Sequence, residues 1–114
     1  MAYEIPGILA SFTAGEDLSS AQYLAVKIDS NGNIVKAGAG ERAIGILQDK
    51  PKNGQAGSVM LYGISKAVYG ASVTAGSALE VGSGGKLIPH SSGTVVAVAL
   101  ESGSADEIHS VKLI

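Results

Sequence analysis

The sequence predicts an all-β fold: a small β-barrel-like or sandwich domain built from two similar half-units, with an extended N-terminal arm. Three observations lead there. Apolar residues recur with period two in several short segments, and none holds a helical period for more than about two turns. The chain has 16 glycines, but only four tyrosines, one phenylalanine and no tryptophan. Small and β-branched side chains therefore carry the hydrophobicity, as in short strands joined by tight turns. The third observation is internal repetition, described below.

Residues 1–9 contain Pro6 and Gly7 and read as an arm, not an internal strand. "GEDLSSAQYL" is the best helix candidate, at most one turn, with Glu16 and Asp17 suited to its start. "YLAVKID" alternates, placing Leu24, Val26 and Ile28 on one face. Asp29, Asn31 and Asn33 then have the spacing of a calcium loop. Such a loop needs Gly at its sixth position and a bidentate Glu at its twelfth, where this chain has Ile34 and Gly40. Asn31-Gly32 therefore reads as a type I′ hairpin turn. "NIVKAG", "RAIGILQ", "SVMLYGISKAVYG", "TVVAVALES" and "IHSVKLI" complete the strand candidates, each flanked by turn residues.

"ASFTAGEDL" at residue 10 matches "ASVTAGSAL" at residue 71, an offset of 61. Leu24 and Val26 then answer Leu79 and Val81 at 55, and Ile34 answers Leu87 at 53. "IGIL" at Ile44 answers "VAVA" at Val96, and "SVML" at Ser58 answers "SVKL" at Ser110, both at 52. This gives half-units of about 10–62 and 71–114 within one domain, with Tyr62 to Gly70 crossing between them. Neither half is expected to bury a core alone; packed together they can.

Composition mainly excludes. Without cysteine there are no disulfides and no thiolate zinc sites. A net charge of −2 with no basic stripe argues against nucleic-acid binding. No apolar run is long enough to span a bilayer, and "MAYEIPGILASF" lacks the basic and apolar regions of a signal peptide. The expectation is a soluble, unprocessed chain. "GAGERAIG" fails as a dinucleotide fingerprint: its third glycine is two positions late and a strand follows. Lys86 after Gly84-Gly85 fails as a phosphate loop, with Glu at 80 and Leu at 87. A hairpin lysine is also a feature of lipoyl and biotinyl carrier domains, but their Asp-Lys-Ala or Met-Lys-Met context is missing. His90 and His109 have no metal-motif spacing, although His109 shares strand parity with Val111 and Leu113. Ser91, His90 and Glu101 can be drawn as a triad, but triads are defined by geometry. No catalytic, cofactor-binding or metal residue is assigned, so the expectation is a non-enzymatic, architectural protein without a cofactor.

"AIGILQD", "VTAGSALEV" and "GKLIPHSSGTVVAVALESGSADEIHSVKLI" together resemble the capsid cement, or head decoration, proteins of tailed phages. The resemblance runs from about Ala10 to the end. It departs at Ala97, where the first half has Gly45, and in the longer "GEDLSSAQYL" segment. It implies a structural virion protein, made in the host cytoplasm, that binds the outer surface of the mature head. It also implies homotrimers that stabilise the lattice of the major capsid protein, with no part for nucleic acid or membrane. On that reading the arm, Ala2 to Leu9, binds the capsid by adding a strand to a sheet edge. Ala2, Tyr3, Glu4, Ile5, Pro6 and Ile8 are its contact residues. Phe12, Thr13, Val73 and Thr74 stand for two trimer-contact loops. The alternatives are another virion module, such as a tail or fibre β-domain, and a cofactor-carrier or glycan-binding β-domain.

Overall fold

The computed structural model describes residues 2–114. Among the described residues, nine strands form one sheet: β1 (Ile5–Thr13), β2 (Ala25–Ile28), β3 (Ile34–Lys36), β4 (Gly45–Leu47), β5 (Ala56–Val68), β6 (Ala78–Val81), β7 (Leu87–Pro89), β8 (Val95–Ala99) and β9 (Ile108–Leu113). All strand ladders are antiparallel, in the order β3-β2-β4-β5-β9-β8-β6-β7, with β1 paired to β5. The all-β expectation holds. No α-helix occurs among the described residues, only a short 3₁₀ turn at Ser83–Gly85. "GEDLSSAQYL" makes no helix: Leu18 and Ala21 carbonyls each accept from the amide three residues on, giving two consecutive tight turns.

The register exposes the repeat. β2 meets β3 at Val26–Lys36, and β6 meets β7 at Leu79–Pro89. β4 meets β5 at Ile46–Met60 and Leu47–Val59, and β8 meets β9 at Val98–Lys112 and Ala99–Val111. Two isolated parallel bridges, Ala14–Ile34 and Tyr69–Leu87, return each unit to its start. Five strands thus follow one another round in each unit: β1-β5-β4-β2-β3, then β5-β9-β8-β6-β7. The N-terminal part of β5 closes the first ring, and its C-terminal part opens the second.

This register revises the repeat's alignment. Val26 corresponds to Leu79, at 53 and not 55. The match of residue 10 to residue 71 joins inequivalent places. Ala14 and Gly15 lie against Ile34, whereas Ala75 and Gly76 donate to Ser102 Oγ and to the Ala99 carbonyl. The place of Ala14-Gly15 is taken in the second ring by Tyr69-Gly70, whose Gly70 amide donates to the Leu87 carbonyl.

Each ring has its own interior, contrary to expectation. In the first, Ala14, Leu18, Ala21, Leu24, Val26, Ile34, Leu47 and Val59 form one buried cluster. The second ring's Tyr69, Val73, Leu79, Leu87, Ala99 and Val111 form another, which also includes Ala25, Ala37, Ile46 and Met60. Ala25, Ile46 and Met60 oppose one another across β2, β4 and β5, on the face away from the first interior. The first ring therefore buries both faces at these strands, its outer face lying against the second ring. That is why β2 does not simply alternate: Ala25 and Val26 are both buried, while Ile28 is exposed.

The hairpin after β2 is confirmed, but not its turn type. Gly32 N–H donates to the Asp29 carbonyl at 3.1 Å, and Asp29 N–H to the Asn33 carbonyl at 2.8 Å. Gly32 has φ 81°, whereas Asn31 is not among the described non-glycine residues of positive φ, which are Tyr23 and Asp106. This is a three-residue loop, a type I turn followed by a left-handed glycine. Asp29 Oδ1 accepts from the Asn31 and Asn33 amides at 2.9 and 3.0 Å, so it organises the turn.

Candidate docking surface

Residues 5–9, expected to extend as part of an arm, instead belong to β1. Ile5 pairs with Ile64, Pro6 with Gly63, Ile8 with Tyr62 and Leu9 with Met60. Register shifts flank Ile8, leaving Gly7 unpaired as a bulge residue. Gly7 and Gly63 make this crossing possible. A Cβ on Gly7 would meet the Tyr62 carbonyl oxygen at 2.8 Å, and one on Gly63 would meet the Ile5 carbonyl oxygen at 2.8 Å. Upstream, Tyr3 N–H donates to Ser110 Oγ at 2.6 Å, and that hydroxyl donates back to the Tyr3 carbonyl at 2.7 Å. The start of the described chain is held to β9.

Among the described residues β1 pairs only with β5, so one of its edges is unpaired along Ile5–Leu9. The side chains here are apolar yet open to solvent: Ile5 is 59% exposed, Ile8 58%, Leu9 45% and their neighbour Tyr62 49%. Ile8 and Tyr62 are register partners and share one face. Lys112 Nζ lies 5.0 Å from the centre of the Tyr62 ring, at the border of this strip. No charged residue occurs from Ile5 to Thr13. A long, uncharged, apolar edge strand is a ready template for another chain, and such edges are normally blunted with charge.

The other expected contact residues are dispersed. Ala2 and Glu4 are half-buried, Tyr3 and Pro6 exposed. Phe12 is half-buried against the first ring's interior, and Thr13 is exposed at the end of β1. Val73 is only 5% exposed and bridges Gly103, so its side chain belongs to the second core, while Thr74 is exposed. Tyr62 was not among the expected residues. It shares strand parity with buried Met60, so alternation alone does not mark it as exposed, and its bulged pairing with Ile8 is invisible in sequence.

A second concave feature lies between the rings. It is a cleft of about 280 Å³ lined mainly by the apolar side chains of Ala43, Ile44, Leu61, Val96 and Ile114, with Arg42 as its only charged lining side chain among the described residues.

The polar clusters hold loops. His109 lies with Nδ1 3.1 Å from Glu101 Oε1 and Nε2 3.0 Å from Glu107 Oε1, its ring tilted on Tyr69 at 5.1 Å between centres. Glu101 Oε1 also accepts the Ser110 amide at 2.8 Å. The Ser110 amide is the chief cause that lowers the Glu101 carboxyl to about 2, and His109 contributes to it. Hydrogen bonding to Glu107, and secondarily to Glu101, raises His109 above its ordinary value, with burial opposing. Burial, and then the nearby Glu101 charge, pushes the Tyr69 hydroxyl up to about 12; it donates to the Glu101 carbonyl at 2.7 Å. His90 instead faces Glu80, which accepts the Ser91 and Gly93 amides. The triad drawn from Ser91, His90 and Glu101 is therefore not assembled, because the two histidines pair with different carboxylates. Lys86 pairs with Asp106 at 2.6 Å. Among the described residues, no group of three or more His, Cys, Asp or Glu is placed to hold a metal ion.

No family model matches the chain, and no curated protein matches it. Among solved structures, the fold is similar to the head fiber gp8.5 N base of bacteriophage phi29, with a TM-score of 0.73 over 94% of this chain and 93% of that one. Sequence identity is 16%, so the likeness is one of fold.

Proposed function

We propose that this chain is a structural module of a bacteriophage virion, a capsid decoration protein that docks on the outer surface of the mature head. The observation that carries this reading is the apolar strip of Ile5, Ile8, Leu9 and Tyr62 on an uncharged, unpaired edge. The strip meets the major capsid protein, and the unpaired edge of β1 adds a strand to it. The fold shared with a phage head fiber base supports a place on the head. Stabilisation needs no chemistry: a protein that binds only the mature lattice lowers that lattice's free energy. Trimers would present three strips at once, so that modest contacts sum to tight attachment. The phi29 protein is itself the base of a head fiber, which favours a second reading, a base that anchors a fibre to the head.

Sedimentation with mature heads separates these readings. Wild-type protein should pellet with heads and raise the temperature at which they rupture. Ile8→Glu and Tyr62→Glu replace exposed side chains and should weaken binding by roughly tenfold or more, because each buries a charge in the contact. Binding without any gain in head stability would favour the fibre base. Unchanged binding by both variants would eliminate the strip as the contact.

A further inference from the structure

The inter-ring cleft and the segment before β1 complement one another. Most of the cleft's lining side chains are apolar, and Arg42 is the only charged side chain among the described ones. Glu4 is the only charged residue from Ala2 to Thr13, and exposed Tyr3 and Ile5 flank it. Among the described residues, neither Glu4 nor Arg42 has a hydrogen-bonding or ion-pair partner within the chain. Residues 2–4 lie outside β1, and Tyr3 is held to the fold by the single Ser110 hydroxyl.

We propose that the segment Tyr3-Glu4-Ile5 of one molecule docks into the inter-ring cleft of a second copy, with Glu4 pairing to Arg42 and a flanking apolar side chain filling the cleft. Donor and acceptor are different surfaces, so the contact is heterologous. Such a contact propagates head to tail and closes into a ring when the rotation permits. It uses the tip of the chain and the cleft, leaving Ile8, Leu9 and Tyr62 for another partner. The inference does not rest on the capsid reading and is tested without capsids.

Sedimentation equilibrium of the full chain provides the first test. Wild-type protein should self-associate. Glu4→Arg and Arg42→Glu should each weaken association by roughly tenfold, since each turns an attraction into a like-charge contact. Combined in one chain they should restore it. The second test uses the absence of cysteine. Glu4→Cys protein mixed with Ala43→Cys protein should form a mixed disulfide-linked dimer under mild oxidation. A wild-type chain that stays monomeric at high concentration, single variants that associate like wild type, or a double variant that stays weak would each overturn the proposal. So would a mixed dimer no more abundant than with a cysteine placed at Ser30, far along the chain on the exposed β2–β3 turn.

Discussion

Both ring nitrogens of His109 face carboxylate oxygens. A neutral imidazole has one N–H, and its other nitrogen would direct a lone pair at a carboxylate; only the imidazolium donates to both. The raised folded-state value sets the sign. The stabilisation from His109 is complete below its ordinary value of 6.5 and is lost as pH rises through the folded value. Glu101 and Glu107 act in the opposite direction. Their values are lowered, chiefly by the Ser110 and Ser104 amides respectively, so their contribution is lost on acidification below the ordinary 4.5. The urea midpoint should therefore fall between pH 6 and pH 8.5 in wild type, and His109→Gln should flatten that slope. A variant with the full wild-type slope would show that the loss comes from elsewhere. Strand parity predicts a partly inward position for His109 with Val111 and Leu113, and the half-buried ring on Tyr69 agrees. Its carboxylates were not legible, because the 101–107 loop that presents them has no period. Nor was the exchange between rings at this place. Gly57 of the first ring lies beneath Pro51, and a Cβ there would meet the proline ring at 2.7 Å, whereas Gly103 of the second lies beneath the His109 imidazole.

At the scale of elements, most strands were legible because alternation and turn residues bounded them, and β5 ran through "SVMLYGISKAV" as one long segment. β1 was the failure. Pro6 and Gly7 read as breakers, yet here they form a bulge, a place where an edge strand tolerates both. The crossing depends on Gly63, whose φ of 124° lies where side-chain-bearing residues rarely go. Gly63→Ala should destabilise the protein by about 1–3 kcal/mol and speed hydrogen exchange at those amides of Ile5–Ala10 that donate to β5. Gly32→Ala is the comparison. Its turn has open space around it, so the left-handed backbone alone opposes alanine, at about 1 kcal/mol, and exchange in β1 should not change. Should Gly63→Ala leave β1 exchange at the wild-type rate, the close approach of Gly7 and Gly63 does not hold the strand.

The molecule as a whole shows why the strongest textual repeat misled. "TAG" recurs because tight turns select small residues, so similar letters appear at places that are not equivalent. The weaker matches of "IGIL" with "VAVA" and of "SVML" with "SVKL" were the informative ones, since a shared ladder register fixes their spacing. Neither the sharing of β5 nor the packing of one ring's outer face on the other could be read from period two, which labels the faces of a strand without saying what covers them. Both features couple the rings. β5 contributes Val59 to the first interior and Ala67 to the second cluster, with Met60 between the rings. The rings should therefore open together. Leu79→Ala lies wholly within the second ring and should destabilise the protein by about 2–5 kcal/mol. If the rings form one cooperative unit, native-state hydrogen exchange should show the same loss of protection at the paired amides of Val26 and Leu47 in the first ring as at Val81 and Val111 in the second. If the first-ring amides keep their wild-type protection while the second ring opens, the shared strand does not couple them, and each ring folds as a separate unit.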